Sequence, residues 1–409
     1  MLYRKVPKTG DELSVLGFGC MRLPTKRGGG IDEGRAIRQV RYAVDHGVNY
    51  VDTAPHYHLG RSESFLAHAL SDGYRKKVCL ATKLPPWSVR SRQDMDHVLE
   101  AQLAKLQTGF IDYYLLHSLS GSSWVEMRNL GVREFLDSAK KDGRIKNAGF
   151  SFHGDIESFK EIVNAYDWEF CQIQYNYLDE FNQAGTEGLE YAASKRLAVI
   201  IMEPLHGGNL AGPNPAEIQK IWEESPVKRS PAEWALRWVW NHPEVTTVLS
   251  GMNDELHIDE NIHAADKALP NSLTVDELST IARVGDTYRR LMKVNCTGCR
   301  YCMPCPAGVD IPGCFSLYNA NHLFPHDLSA KFWYIGRHGG LLSSDSYAGL
   351  CTQCGRCAQI CPQHIHIPEQ LEEVSKEMEV MMSVIVPVLR GGLWCMNQLG
   401  HVKRIFSRM

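Results

Sequence analysis

The chain has 409 residues, of which 44% are apolar and 22% charged, proportions that exclude a disordered chain, a collagen or a coiled coil. Lysine and arginine number 44 against 47 aspartate and glutamate, a net charge of −3, so no broad positive field is available to hold nucleic acid. The opening stretch MLYRKVPKTGDELSV lacks the apolar segment of a secretory signal, and the late apolar run of residues 380–389 is interrupted by Pro387 and too short to span a bilayer; a cytoplasmic protein is expected. In chain order, MLYRKV and DELSV read as a small hairpin. Eight short apolar runs follow: VLGFG (15–19), VNYVDT (48–53), VCLATK (78–83), DYYLLH (112–117), KNAGFS (146–151), FCQIQYN (170–176), LAVIIME (197–203) and TTVLSG (246–251). Between them lie amphipathic stretches such as AIRQVRYAVDHG and MDHVLEAQLAKLQ, with apolar residues at i, i+3 and i+4. Gly47, Gly109 and Gly143 stand where helix C-caps fall.

Eight strand-then-helix units predict a (β/α)8 barrel of class α/β, its floor closed by the hairpin. A doubly wound open sheet is the rival, but no GxGxxG follows the first strand. Asp155 is an expected N-cap. The tryptophans of AEWALRWVWNHPE (232–244) fall at helical spacing and predict core packing, and Trp124, in the loop after the fourth strand, is expected to line a substrate pocket. The pattern changes over residues 287–295. The expected division is a barrel over 1–287, an iron–sulfur domain of α+β type over 288–370, and a helical tail over 371–409. That tail, Met-rich and then basic at Lys403, Arg404 and Arg408, either covers its own domain, meets a second subunit or touches a membrane surface.

Ten of the thirteen cysteines follow residue 290. Cys351, Cys354, Cys357 and Cys361 read C-x2-C-x2-C-x3-C before Pro362, the spacing of bacterial iron–sulfur sites. An earlier run, Cys296, Cys299, Cys302 and Cys305, ends before Pro306 with a last spacing of two. Zinc sites use paired CxxC motifs and fit two runs of four poorly. Tandem runs of this kind resemble a two-cluster ferredoxin domain. The resemblance implies one [4Fe-4S] cluster on Cys296, Cys299, Cys302 and Cys361, and a second on Cys351, Cys354, Cys357 and Cys305. Cys20, Cys79, Cys171, Cys314 and Cys395 lack this spacing and read as packing residues, and the histidines of HIHIP (364–368) as a turn.

Barrel chemistry sits at the C-terminal ends of strands. Asp52, Lys83 and His117 end the second, third and fourth runs, and Tyr57 lies in the loop after Asp52. An ammonium beside a phenol is expected to lower its pKa from about 10 toward the range where it donates a proton at neutral pH. Asp52 would orient Lys83, and His117 would bond a substrate oxygen. HGVNYVDTAPHYHLGRSE (46–63), VCLATKLP (78–85), DYYLLHSL (112–119), GFSFHG (149–154) and QIQYNYLD (172–179) together resemble the aldo-keto reductases. That resemblance implies Asp52, Tyr57, Lys83 and His117 as a catalytic tetrad with Tyr57 the general acid. It also implies NADP(H) or NAD(H) as cofactor and a small carbonyl or alcohol as substrate. Ser151 and Gln174 would contact the nicotinamide carboxamide, and Glu260 and Asn261 the adenine. Met202 stands where the family places a stacking aromatic, and Gly251, Met252 and His257 where it commonly grips a 2′-phosphate; Arg22 and Lys26 are cations elsewhere in the chain that could supply the missing charge. The fusion to cysteine runs resembles the ferredoxin-fused branch of the family. Its clusters would relay electrons to an external ferredoxin or other carrier, stiffen their domain, or sense redox state. A barrel that binds nucleotide without turnover is the alternative.

Overall fold

The expected runs become strands because they are buried on both faces, as parallel strands wrapped by helices must be. In the computed structural model, which describes residues 1–27, 29–323, 329–340, 344–380, 382 and 386, a hairpin pairs β1 (Tyr3–Lys5) with β2 (Glu12–Ser14). Then come β3 (Leu16–Gly19), β4 (Tyr50–Asp52), β5 (Cys79–Leu84), β6 (Ile111–Leu119), β7 (Ile145–Phe152), β8 (Phe170–Gln174), β9 (Ala198–Met202) and β10 (Val245–Ser250). These eight are parallel and close into a barrel, with β10 pairing β3. The open-sheet alternative is thereby removed.

Inside the barrel Tyr50, Tyr113, Leu115, Phe170, Ile200 and Leu249 form one buried cluster with Val6 and Leu13 of the hairpin. The hairpin thus plugs the floor, and Tyr113 donates its hydroxyl to Asp11 at 2.9 Å there. Rings this large fit only because glycine faces them. A Cβ on Gly149 would lie 2.5 Å from the Phe170 ring.

Helix ends follow local chemistry. Asp155 caps Ile156–Ala165 by accepting from the Ser158 amide at 2.8 Å. Gly47 and Gly143 take left-handed φ of 97° and 78° just past their helices. Gly109 does not: helix Arg92–Leu106 ends at Gln107, which itself takes φ 50°, while Thr108 N–H returns to the Leu103 carbonyl at 3.2 Å. The turn closes two residues before the glycine. In helix Pro231–Trp240, Trp234, Trp238 and Trp240 are buried; Trp240 Nε1 donates to the Val15 carbonyl at 2.8 Å.

The chain divides into two compact units, Met1–Pro213 with Ile221–Gly285, and Asn214–Lys220 with the residues from Asp286 onward. The second has helices Ile311–Leu323, Ser329–His338, Arg356–Gln359 and Ile367–Met378. Its described residues contain no strand, where an α+β unit is the expectation. Val309, Ile311, Phe315, Tyr318 and Tyr334 pack in one core with Leu371, Val374, Met378, Met382 and Val386. The expected boundary at 371 therefore falls inside helix Ile367–Met378, which belongs to this core. Residues 387–409, with Cys395 and the basic positions, lie outside the described residues. No helix among the described residues is long and apolar enough to cross a membrane.

Candidate functional sites

At the barrel rim Asp52 is the last residue of β4 and Lys83 the penultimate residue of β5. Asp52, Tyr57, Lys83 and His117 are all buried. Lys83 Nζ donates to Asp52 Oδ1 at 2.6 Å, to the Thr53 carbonyl at 2.8 Å and to the Tyr57 hydroxyl at 3.2 Å. Three acceptors occupy the three ammonium protons, which fixes the direction of the side chain. His117 reaches the rim through an irregularity. The register of β6 on β7 shifts between Leu116 and Leu119, and Ser118 takes φ 52°. Such bulges re-aim side chains; this one is held by the Ser118 amide donating to Ser151 Oγ at 2.7 Å. The His117 ring stands edge-on to Tyr57, centroids 6.2 Å apart.

Burial dominates the protonation of this set. It holds the Tyr57 phenol well above its usual pKa, with the Asp52 charge adding to the effect. The lowered phenol pKa expected beside Lys83 is not found, because burial of the hydroxyl penalises the phenolate and the Asp52 charge adds to that penalty. His117 is held well below the usual histidine range by burial and by Lys83. Burial pushes Lys83 down and Asp52 up, while their mutual attraction opposes both shifts. The site thus presents one ion pair, a neutral phenol and a neutral imidazole.

The expected cofactor contacts scatter. Gln174 is already engaged: its Nε2 donates to Asp179 at 2.7 Å and its Oε1 accepts from Gln183 at 2.7 Å. Gln172 lies on the same strand face, one pleat deeper. Its Nε2 reaches the Met202 sulfur at 3.8 Å, and its buried Oε1 has no hydrogen-bond partner among the described residues. The sequence reading missed it, although period-two alternation puts both glutamines on one face. Asn261 Nδ2 donates to Ser250 Oγ at 3.0 Å, and Glu260 accepts from Ser230 Oγ. Met252 is buried and His257 exposed. The Arg22 stem runs over Gly251, where a Cβ would meet Arg22 Cβ at 3.2 Å; Lys26 is exposed. Arg35, not singled out by sequence, pairs with Asp254 at 2.9 Å and with Glu255 at the start of helix Glu255–Ala265.

The aromatic beside the site is not the expected one. Trp124 is fully buried on helix Gly121–Asn129 and packs edge-on to Trp168, centroids 6.0 Å apart, so it lines no pocket. Trp87, half exposed, stands 5.3 Å from His117 and 5.5 Å from His56, and His56 stacks on His117 at 4.8 Å. Cys20, expected only to pack, is buried near enough to Asp52 and Lys83 to feel both charges.

In the second unit the cysteines gather around two cavities. Cys296, Cys299, Cys302 and Cys361 line one; Cys302, Cys305, Cys351, Cys354 and Cys357 line the other. Members of different runs therefore meet, Cys361 with the first and Cys305 with the second. Among the described residues no three His, Cys, Asp or Glu side chains converge as on a single ion. Sulfurs set around a cavity suit a cubane placed between them better than one zinc. Cys314 is buried apart from both, its thiol 3.6 Å from the Ser346 carbonyl.

The model of the Aldo/keto reductase family matches residues 15–282, and that of a 4Fe-4S dicluster domain matches residues 295–367. Aldo-keto reductase YhdN of Bacillus subtilis is 28% identical over 222 residues, 52% of this chain and 64% of that protein. The NADH-specific methylglyoxal reductase of Escherichia coli is 24% identical over 317 residues, covering 64% of this chain and 93% of its own length. Among solved structures, the holo form of aldo-keto reductase AKR11C1 from Bacillus halodurans is 27% identical with a TM-score of 0.58, covering 69% of this chain and 96% of that one. The Klebsiella pneumoniae aldo-keto reductase in complex with NADPH is 22% identical with a TM-score of 0.55, over 69% of this chain and 95% of that one, a likeness of fold. With a closed eight-stranded barrel, a family match over most of it and an iron–sulfur match after it, the chain belongs to the aldo-keto reductase family and carries a C-terminal 4Fe-4S dicluster domain.

Proposed function

We propose that the barrel reduces the carbonyl group of a small molecule with NAD(P)H, Tyr57 donating the proton to oxygen. The observation that carries this reading is Lys83 Nζ joining the buried Asp52 to the Tyr57 hydroxyl. Bound nicotinamide supplies the hydride. Tyr57, held neutral by burial, keeps its proton until negative charge develops on the substrate oxygen. Lys83, already 3.2 Å from the hydroxyl, then stabilises the phenolate left behind. Neutral His117 donates a hydrogen bond to the same oxygen, and His56 and Trp87 wall the approach. The orphaned Oε1 of Gln172 fits the amide protons of the nicotinamide carboxamide, with the Ser151 hydroxyl beside the neighbouring strand end. Gly251, Met252 and His257 bring no fixed cation of their own to a 2′-phosphate, and Arg22, whose stem runs over Gly251, is the guanidinium at that loop; the dinucleotide is NADP(H) or NAD(H).

In the second unit, Cys296, Cys299, Cys302 and Cys361 hold one [4Fe-4S] cluster and Cys305, Cys351, Cys354 and Cys357 the other, which gives one-electron carriers. An external ferredoxin or similar protein is the partner this reading supplies. The test is dinucleotide oxidation over a panel of aldehydes and ketones by anaerobically purified holoprotein and Tyr57→Phe. The variant should bind dinucleotide and lose turnover by a factor of about 100 to 10,000. Dinucleotide binding by wild type with no turnover across the panel would replace the enzyme with a binding module.

A further inference from the structure

The two cysteine-lined cavities differ in what surrounds them. The walls of the first are Ile311, Phe315, Ile365 and Ile367, and its one lining cation, Arg300, pairs with Asp310 at 3.4 Å. None of its four cysteines is exposed. The second has more exposed lining residues: Cys354 is exposed, as are Thr352 and Arg356, and Ile360 is 53% exposed. Arg356 lines this cavity and makes no ion pair among the described residues. Cys302 and Ile311 line both cavities, so they share a wall.

A cubane on four thiolates is anionic, and reduction adds one more negative charge without a proton. An apolar wall opposes that added charge, whereas water and an unpaired guanidinium favour it. We propose that the two sets are unequal redox sites. The Cys305, Cys351, Cys354 and Cys357 set is the higher-potential, more exposed one, and it releases electrons to a one-electron carrier outside the chain. The Cys296, Cys299, Cys302 and Cys361 set is the lower-potential one that passes electrons to it across the shared wall. Each step moves one electron: an external low-potential one-electron donor reduces the Cys296, Cys299, Cys302 and Cys361 set, that set is oxidised as the more exposed set is reduced, and the external carrier is the final oxidant. The inference rests on the cluster assignment proposed above.

The experiment is an anaerobic redox titration of the holoprotein followed by electron paramagnetic resonance, with iron counted first. Two one-electron waves are expected. Arg356→Glu, at an exposed position that leaves the fold alone, should move the higher wave to lower potential and leave the lower wave in place. A hydrophilic paramagnetic ion complex in the buffer should broaden the signal of the higher-potential centre more. A single wave, a shift confined to the lower wave, or stronger broadening of the lower-potential centre overturns the inference while leaving two clusters in place. Protein that binds no iron after anaerobic reconstitution overturns the cluster assignment itself.

Discussion

Lys83 is the residue on which the barrel site turns, because one buried ammonium serves a carboxylate, a carbonyl and a phenol. Removing it leaves Asp52 charged, buried and unpaired, a situation that costs about 3–5 kcal/mol. Lys83→Met should therefore lower the unfolding free energy by that order as well as abolish turnover; unchanged stability would mean that Asp52 and Lys83 are not an ionised pair in the folded chain. The pH dependence follows from the two neutral groups. With Tyr57 held above its usual range and His117 below its own, carbonyl reduction should be flat from about pH 6.5 to about 9. A break near pH 6.5 that vanishes in His117→Asn would contradict the neutral imidazole. Stability behaves differently. The unfolded chain protonates His117 near its ordinary pKa of about 6.5 while the folded chain does not. The His117 contribution is thus complete above that pH and is lost as pH falls below it. Denaturation midpoints of wild type and His117→Asn should converge on acidification.

At the scale of elements, the runs named from sequence are the barrel strands to within one or two residues at most ends, because burial on both faces leaves continuous apolar runs in the chain. What the pattern missed are places where one residue breaks it. The β6 irregularity at Ser118 that presents His117 leaves no mark in a stretch reading YYLLHSL. Trp124 was read as a pocket wall because it follows His117; a helix capped by Ser120 and Ser123 instead turns it inward. The resemblance points to Gln174 and passes over Gln172, which alternation puts on the same face; depth along a strand is decided only when the barrel closes. Packing inside that barrel is tight enough to test. Gly149→Ala brings a methyl 2.5 Å from the Phe170 ring, and overpacking of this kind costs about 1–3 kcal/mol. Phe170→Leu in the same background should recover part of the loss in denaturation midpoint; equal losses in both backgrounds would remove the clash as the cause.

For the whole molecule, two units with separate cores imply two stabilities. Iron bound to the cysteine runs contributes folding free energy only to the unit that holds it. Scanning calorimetry of the holoprotein, carrying about eight iron atoms per chain, should show two transitions. Chelation of iron should lower one and leave the barrel transition in place; a single transition that moves as a whole would show the units to unfold as one. Composition signals that two units exist, since cysteine abruptly becomes frequent after residue 290. It does not show that Asn214–Lys220 crosses to the second unit, or that helix Ile367–Met378 belongs to its core. Those are contacts between segments far apart in the chain.

By itself the sequence determined the barrel, the four rim residues and the two cysteine runs. Strand periodicity and thiolate spacing are local properties, written over a few residues at a time. Only the tertiary structure decided that Lys83 leaves the phenol neutral, since that depends on how much water Asp52 and Tyr57 lose together. It also decided that Gln172 carries the unmatched oxygen, and that Cys354 of one cysteine set is exposed while all four cysteines of the other are part-buried. Desolvation and exposure depend on all the neighbours at once, and no window of sequence contains them.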